Sequence, residues 1–140
     1  MYGVSPIDPG REIDWGKTSG DYLRYRAGYP PSFYDRLQAL GVTRAGARVL
    51  DLATGTGNLA IELARRGCRV TGVDIAAGQI EAARSRAATE KLDVDFRVAP
   101  AEETGLAPGS FELITASQCW LYFDAARAIP HVRSLLAPGG

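Results

Sequence analysis

Two cysteines, one histidine and one methionine are all that this 140-residue chain offers in thiol, imidazole and thioether side chains. Cys68 and Cys119 stand far apart, with neither CxxC spacing nor a histidine beside them, so no metal site is expected and each thiol reads as a small buried hydrophobe. Net charge is lacking as well. Sixteen basic residues balance sixteen acidic ones, which removes any global attraction to nucleic acid or anionic lipid. No apolar run approaches the roughly 20 residues that cross a bilayer. Met1 to Arg11 carries Pro6, Asp8 and Pro9 where a secretory signal needs an apolar stretch. These absences lead us to expect a soluble, cytoplasmic protein that acts on neither nucleic acid nor membrane. His131, the single histidine, follows Pro130 and reads as a surface residue.

What is present belongs to an ordinary globular domain. Hydrophobic residues make up 46% and charged residues 23%, and the length allows one domain with one core. Residues 1–29 hold Tyr2, Trp15, Tyr22, Tyr25 and Tyr29 among recurring Gly and Pro, an irregular arm with one helical turn near Asp21 to Arg26. Pro30-Pro31 then opens a helix, since proline fits the first turn without losing a hydrogen bond. Phe33, Leu37 and Leu40 form its apolar face and Gly41 ends it.

From there the pattern alternates. Arg48 to Leu52 is a short apolar run that stops at glycines, a strand; Asn58 to Arg66, closed by Gly67, is a helix. Arg69 to Asp74 is a second strand and Ala76 to Thr89 a second helix of the alternation, with Ile80, Ala83 and Ala87 on one side. Val94 to Val98 alternates apolar and polar as a strand does, and Phe111 to Ala116 is a fourth. Ala125 to Leu136 is helical, with Pro130 expected to start or kink it. Strands alternating with helices imply right-handed crossovers and a parallel sheet, here in the order 3-2-1-4, with a site at the carboxyl ends of the first and fourth strands.

The segment Asp51-Leu52-Ala53-Thr54-Gly55-Thr56-Gly57-Asn58 carries the chemistry. Glycine at 55 and 57 lets backbone approach a ligand at a strand-to-helix turn, and the helix that opens there presents free N–H groups. Asp74 closes the second strand, where a carboxylate accepts hydrogen bonds from ribose hydroxyls. A nucleoside-containing ligand fits both features, and two classes compete for it. Gly55 to Ala60 satisfies the dinucleotide fingerprint G-x-G-x-x-G/A, a weak signal when it stands alone. A pyrophosphate, however, would bring two negative charges close to Asp51. An acid ahead of the glycines suits a ligand carrying an ammonium and a sulfonium, so charge favours S-adenosylmethionine over NAD.

At these residues the chain resembles the class I S-adenosylmethionine-dependent methyltransferases, particularly the group acting on small molecules. Asp51, Gly55 and Gly57 match the family's D/E-x-G-x-G-x-G motif, with Ala53 in place of the first glycine. Val73-Asp74-Ile75 matches the second motif, whose acid binds ribose, and Gln79 stands where the family often sets a side chain against the adenine. Ala101-Glu102 looks like the segment that brackets the adenine, although Pro100 occupies a position where relatives often have Asp. Ser117 to Asp124 resembles the family's A-Q-A-x-H-W-F-D segment, and Leu135 to Gly140 its L-x-P-G-G turn. The lead-in Y-x-x-x-R-x-x-Y-P is matched by Tyr22, Arg26, Tyr29 and Pro30. The five motifs from Asp51 to Gly140 stand in family order and are far more specific than any one, and with the lead-in the resemblance runs from about Trp15 onward.

The resemblance implies a Rossmann-like three-layer α/β sandwich, with residues 1–29 as an arm or flap and 30–140 as a partial S-adenosylmethionine-binding domain. It implies a cofactor site built from Asp51, Ala53, Gly55, Gly57, Asn58, Asp74, Ile75, Gln79, Ala101, Glu102, Ser117 and Gln118. Tyr22, Arg26, Trp120, Tyr122 and Phe123 would line the acceptor side or its lid. The expected activity is in-line methyl transfer to a small-molecule acceptor, with no catalytic base assigned and no metal. Relatives continue past the P-G-G turn with further strands, so a truncated domain is expected, whose fourth strand is an open edge suited to self-association. A non-catalytic nucleoside-binding or assembly module and an NAD-dependent oxidoreductase are the alternatives.

Overall fold

The computed structural model describes residues 28–140. The helical turn expected near residues 21–26, with Tyr22 and Arg26, lies outside the described residues.

Helix α1, Pro31–Ala39, starts on a proline at its first position and ends where Gly41 takes φ 72°. Its buried face differs from the Phe33–Leu37–Leu40 stripe that periodicity suggests. Tyr34 is the buried residue, Phe33 packs partly on the core, and Leu40 is 60% exposed. Leu40 is the cap residue after the last helical position, while Tyr34 has the Arg66 guanidinium over its ring at 5.3 Å.

Strand β1, Arg48–Leu52, is buried from Val49 onward, as a central parallel strand covered on both faces must be. Helix α2, Asn58–Arg65, follows it, then strand β2, Arg69–Asp74, and helix α3, Ala77–Thr89. Strand β3, Val94–Val98, and strand β4, Leu113–Ala116, complete a parallel sheet in the order β3-β2-β1-β4. The expected fourth strand began at Phe111; there the chain makes only a single parallel bridge to Leu136, and regular pairing starts at Leu113. A 3₁₀ turn, Trp120–Tyr122, leads to helix α4, Ala125–Leu135.

Pro130 neither starts nor ends α4. The helix starts five residues earlier because Asp124 caps it, its carboxylate accepting the Ala126 amide at 3.1 Å. Proline deprives the Ala126 carbonyl of its donor, and both residues are exposed, where solvent is available to that carbonyl.

The two sheet faces bury separate clusters. Val49, Ile61, Leu63, Ile80 and Phe96 pack on one face with Tyr34, and Leu50, Leu52, Val73 and Leu135 on the other. Helices α1, α2 and α3 thus cover one face and α4 the other, a three-layer sandwich. Each fully buried leucine or isoleucine contributes about 2 kcal/mol. No helix among the described residues is long and apolar enough to cross a membrane.

Register decides what meets across the sheet. Phe96, Gly72, Asp51 and Thr115 lie in one row across all four strands, their side-chain positions on the same face. Gly72 leaves the space that the Phe96 ring fills: a Cβ there would stand 2.7 Å from the ring.

Candidate functional site

A cleft of about 190 Å³ opens at the carboxyl ends of β1 and β4. Asp51, Ala53, Thr54, Asn58 and Leu59 line it from the glycine loop, Ser117 and Gln118 from the segment after β4, and Gly28, Tyr29 and Pro30 from the chain before α1. A larger hollow of about 750 Å³ lies at the opposite ends of the strands, around Arg48, Arg69 and Asp95, away from the loop.

Asp51 is the centre of the cleft's chemistry. It is 2% exposed, and its two oxygens take one short hydrogen bond each: Oδ2 from the Thr54 hydroxyl and Oδ1 from the Thr115 hydroxyl, both at 2.7 Å. Burial pushes its pKa up to about 6, against the pull of the two hydroxyls and with a further push from the Asp74 charge. Each carboxylate oxygen retains acceptor capacity beyond these bonds.

Asp74 organises the loop. Its Oδ2 accepts the Gly55 amide and its Oδ1 the Ala76 amide, both at 2.9 Å, which ties the end of β2 to the glycine turn and to the start of α3. Burial raises its pKa, opposed by the amides of Ala76, Gly55 and Ile75. From behind, Arg86 of α3 donates to the Thr56 carbonyl at 2.8 Å and to Asn58 Oδ1 at 2.6 Å.

The glycines divide their duties. Gly55 presents its amide to Asp74, whereas Gly57, at φ 82°, is buried where a Cβ would stand 2.9 Å from the Phe96 ring. Internal packing thus already demands glycine at 57. Ala53 holds φ 49° and Gln118 φ 58°, so two non-glycine residues that line the cleft adopt left-handed backbone, at a cost of about 1–2 kcal/mol each.

Of the residues expected from sequence, Asp51, Ala53, Asn58, Ser117 and Gln118 come together in the cleft. Gly55, Gly57 and Asp74 shape the loop behind it, and Ile75 is exposed just past the end of β2. Gln79 is buried in α3, and Ala101 is buried in the core cluster on the α4 face. Glu102 Oε1 accepts the Asp124 amide at 2.8 Å, joining the loop after β3 to the start of α4. Trp120 and Tyr122 are exposed on the 3₁₀ turn; Phe123 is half-buried, edge-on to Trp120 at 5.5 Å. His131, expected at the surface, is half-buried instead: its Nε2 accepts the Thr104 amide at 3.0 Å. Only a neighbour distant in sequence draws it in.

Sequence reasoning missed Thr54, Thr115, Arg86 and the role of Tyr29. Thr54 lies inside the motif, three residues past Asp51, and that spacing was a signal. Thr115 and Arg86 reach the loop through register and helix packing, which leave no local trace. The Tyr29 hydroxyl meets Ser117 Oγ at 2.7 Å and its ring stacks on Phe33 at 4.3 Å, so the chain before α1 is joined to the segment after β4. No group of three or more His, Cys, Asp or Glu side chains among the described residues is placed to hold a metal ion.

Known proteins resemble this chain in sequence and fold. A family model described as "Methyltransferase domain" matches residues 49–140. An uncharacterized methyltransferase of Mycobacterium bovis is 36% identical over 128 residues, 91% of this chain and 49% of that protein. A demethylmenaquinone methyltransferase of Thermus thermophilus is 38% identical over 104 residues, 72% of this chain and 47% of that protein. The chain spans about half the length of the curated relatives it matches. Among solved structures, a SAM-dependent methyltransferase from Thiobacillus denitrificans in complex with S-adenosylhomocysteine superposes with a TM-score of 0.68 at 26% identity, over 89% of this chain and 51% of that one.

Proposed function

The chain belongs to the methyltransferase-domain family, and from that premise we propose that its cleft binds S-adenosylmethionine and that the protein transfers the methyl group to a small-molecule acceptor by in-line displacement. The observation that carries this reading is Asp51, a buried carboxylate lining the cleft whose hydrogen-bond partners are two neutral hydroxyls. A ligand with ammonium and sulfonium groups supplies the compensating charge, whereas a pyrophosphate adds two negative charges beside it.

The donor set suits that cofactor. Asp51 takes the cationic end, Asn58, Ser117 and Gln118 offer polar side chains around it, and the exposed Ile75 at the end of β2 gives the nucleoside an apolar surface. When bound, S-adenosylmethionine supplies an electrophilic methyl on a sulfonium with a neutral thioether as leaving group. The chain's own residues hold and orient. Asp74 and Arg86 fix the loop, and Trp120, Tyr122 and Phe123 border the acceptor side, offering aromatic faces to positive charge and excluding water. Alignment of acceptor and methyl provides up to about 7–11 kcal/mol, and a base is needed only for an acceptor protonated at neutral pH.

In this reading residues 30–140 are the cofactor-binding part. Residues 1–29 are proposed as a flap for that site, with Tyr22 or Arg26 assigned to the methionine carboxylate; of this segment the described part is Gly28 and Tyr29, and the Tyr29 hydroxyl meets Ser117 Oγ beside the cleft. The free state of Cys68 and Cys119 agrees with a cytosolic location, and the neutral charge balance with a partner that is not nucleic acid. The outer side of β4 is the proposed self-association edge.

Calorimetric titration at neutral pH with S-adenosylhomocysteine and NAD in parallel tests the reading. Binding of the first and silence of the second is expected, and NAD binding alone overturns it. A radiolabelled methyl assay on a metabolite pool then separates an enzyme from a binding module.

A further inference from the structure

Thr115 does not line the cleft, yet it touches the group on which ligand charge depends. It pairs with Asp51 in the β1–β4 register, and its hydroxyl lies 2.7 Å from Asp51 Oδ1 and 3.4 Å from the Leu50 carbonyl oxygen. A hydroxyl has one hydrogen to give. With Asp51 ionised, that hydrogen belongs on the carboxylate, where a charge-assisted bond is about twice as strong as a neutral one. With Asp51 protonated, the carboxyl itself becomes a donor, and the Thr115 hydrogen can turn to Leu50. Resting on the cofactor reading above, we propose that Thr115 is a positioning residue for the ligand site: its hydroxyl holds Asp51 in the ionised, cation-accepting form and gives cofactor binding its pH dependence.

The surroundings leave that role to hydroxyls. Asp74, on the neighbouring strand β2, faces Asp51 with a like charge. The Tyr34 phenol from α1 and the Cys119 thiol after β4 are both pushed up to about 12, chiefly by burial, and stay neutral. Arg86 spends its hydrogen bonds on Thr56 and Asn58, on the far limb of the loop. Thr54 supplies the second hydroxyl, but it lines the cleft, so a change there alters the cleft wall itself. Thr115 is therefore the group through which ionisation of Asp51 can be altered without touching the cleft wall.

Two measurements on Thr115→Val and Thr115→Ser test this. The first is the pH titration of the Asp51 carboxyl carbon by NMR in the free chain. Valine keeps the shape and removes the donor, so the midpoint should rise by about one pH unit, while serine should keep it near the wild-type value. The second is calorimetric titration with S-adenosylhomocysteine across pH. The valine variant should bind about fivefold more weakly near pH 6 and almost normally near pH 8, because a rise of about one unit lowers the ionised fraction only in the lower range. A carboxyl midpoint unmoved by valine overturns the proposal, as does an equal loss of affinity at both pH values or a serine variant no better than valine. If the valine variant fails to fold, Thr115→Ala carries the same prediction. Wild-type chain that binds no S-adenosylhomocysteine at any pH overturns the cofactor reading, and the carboxyl titration still reports on Thr115 by itself.

Discussion

At Asp51 the needs of ligand and fold oppose each other. Its carboxyl is ionised only from about pH 6 upward in the folded chain, against 3.8 as the ordinary value. Between those values the folded state binds more protons than the unfolded one, so stability falls as pH rises through the window, and the loss is complete above about pH 6. A rise from 3.8 to about 6 corresponds to about 3 kcal/mol at most. Asp51→Asn should therefore unfold at higher temperature or urea concentration than wild type at neutral pH, with the gap closing below about pH 4, and should bind no S-adenosylhomocysteine. A variant less stable than wild type at neutral pH would show that the two threonine hydroxyls repay the burial in full. The acid itself was legible in the sequence because it precedes a glycine turn. Its hydroxyl partner Thr115 was not, because 64 residues separate the two and only strand register joins them.

Among elements, the glycine loop owes its shape to neighbours in β2, β3 and α3 as much as to its own residues. Gly72 in β2 makes room for Phe96 of β3, and a Cβ there would also stand 3.0 Å from Thr54 Cγ2 in the loop. Gly72→Ala should lower stability by about 1–3 kcal/mol, read as a shifted denaturation midpoint. It should also weaken S-adenosylhomocysteine binding, since Thr54 is displaced with it. Pairing the change with Phe96→Leu should recover most of the midpoint, and an unshifted midpoint in Gly72→Ala would mean that the ring moves aside freely. The elements themselves were readable, each strand stopping where its apolar run stopped. Less readable was which way they face. Tyr34 replaced Leu40 on the buried side of α1 because Arg66 and the core reach one and not the other. Pro130 fell inside α4 because the Asp124 cap fixed the helix start.

On the scale of the whole sheet, β4 pairs with β1 on one side and, among the described residues, is an outer strand of the four. An open edge exposes unpaired N–H and C=O groups that another chain can complete. Sedimentation velocity across a dilution series should show a monomer that gives way to a dimer as concentration rises. A single monomeric boundary throughout would remove self-association from the reading. The sequence by itself determined the strand–helix alternation and the acid-glycine turn, because apolar period and glycine placement act over a few neighbouring residues. Tertiary structure alone decided that Thr115 would meet Asp51, that Arg86 would clamp the loop, that Tyr29 would reach Ser117 and that Glu102 would bind the start of α4. Those contacts join residues far apart in the chain, and their geometry exists only once register and helix packing are set.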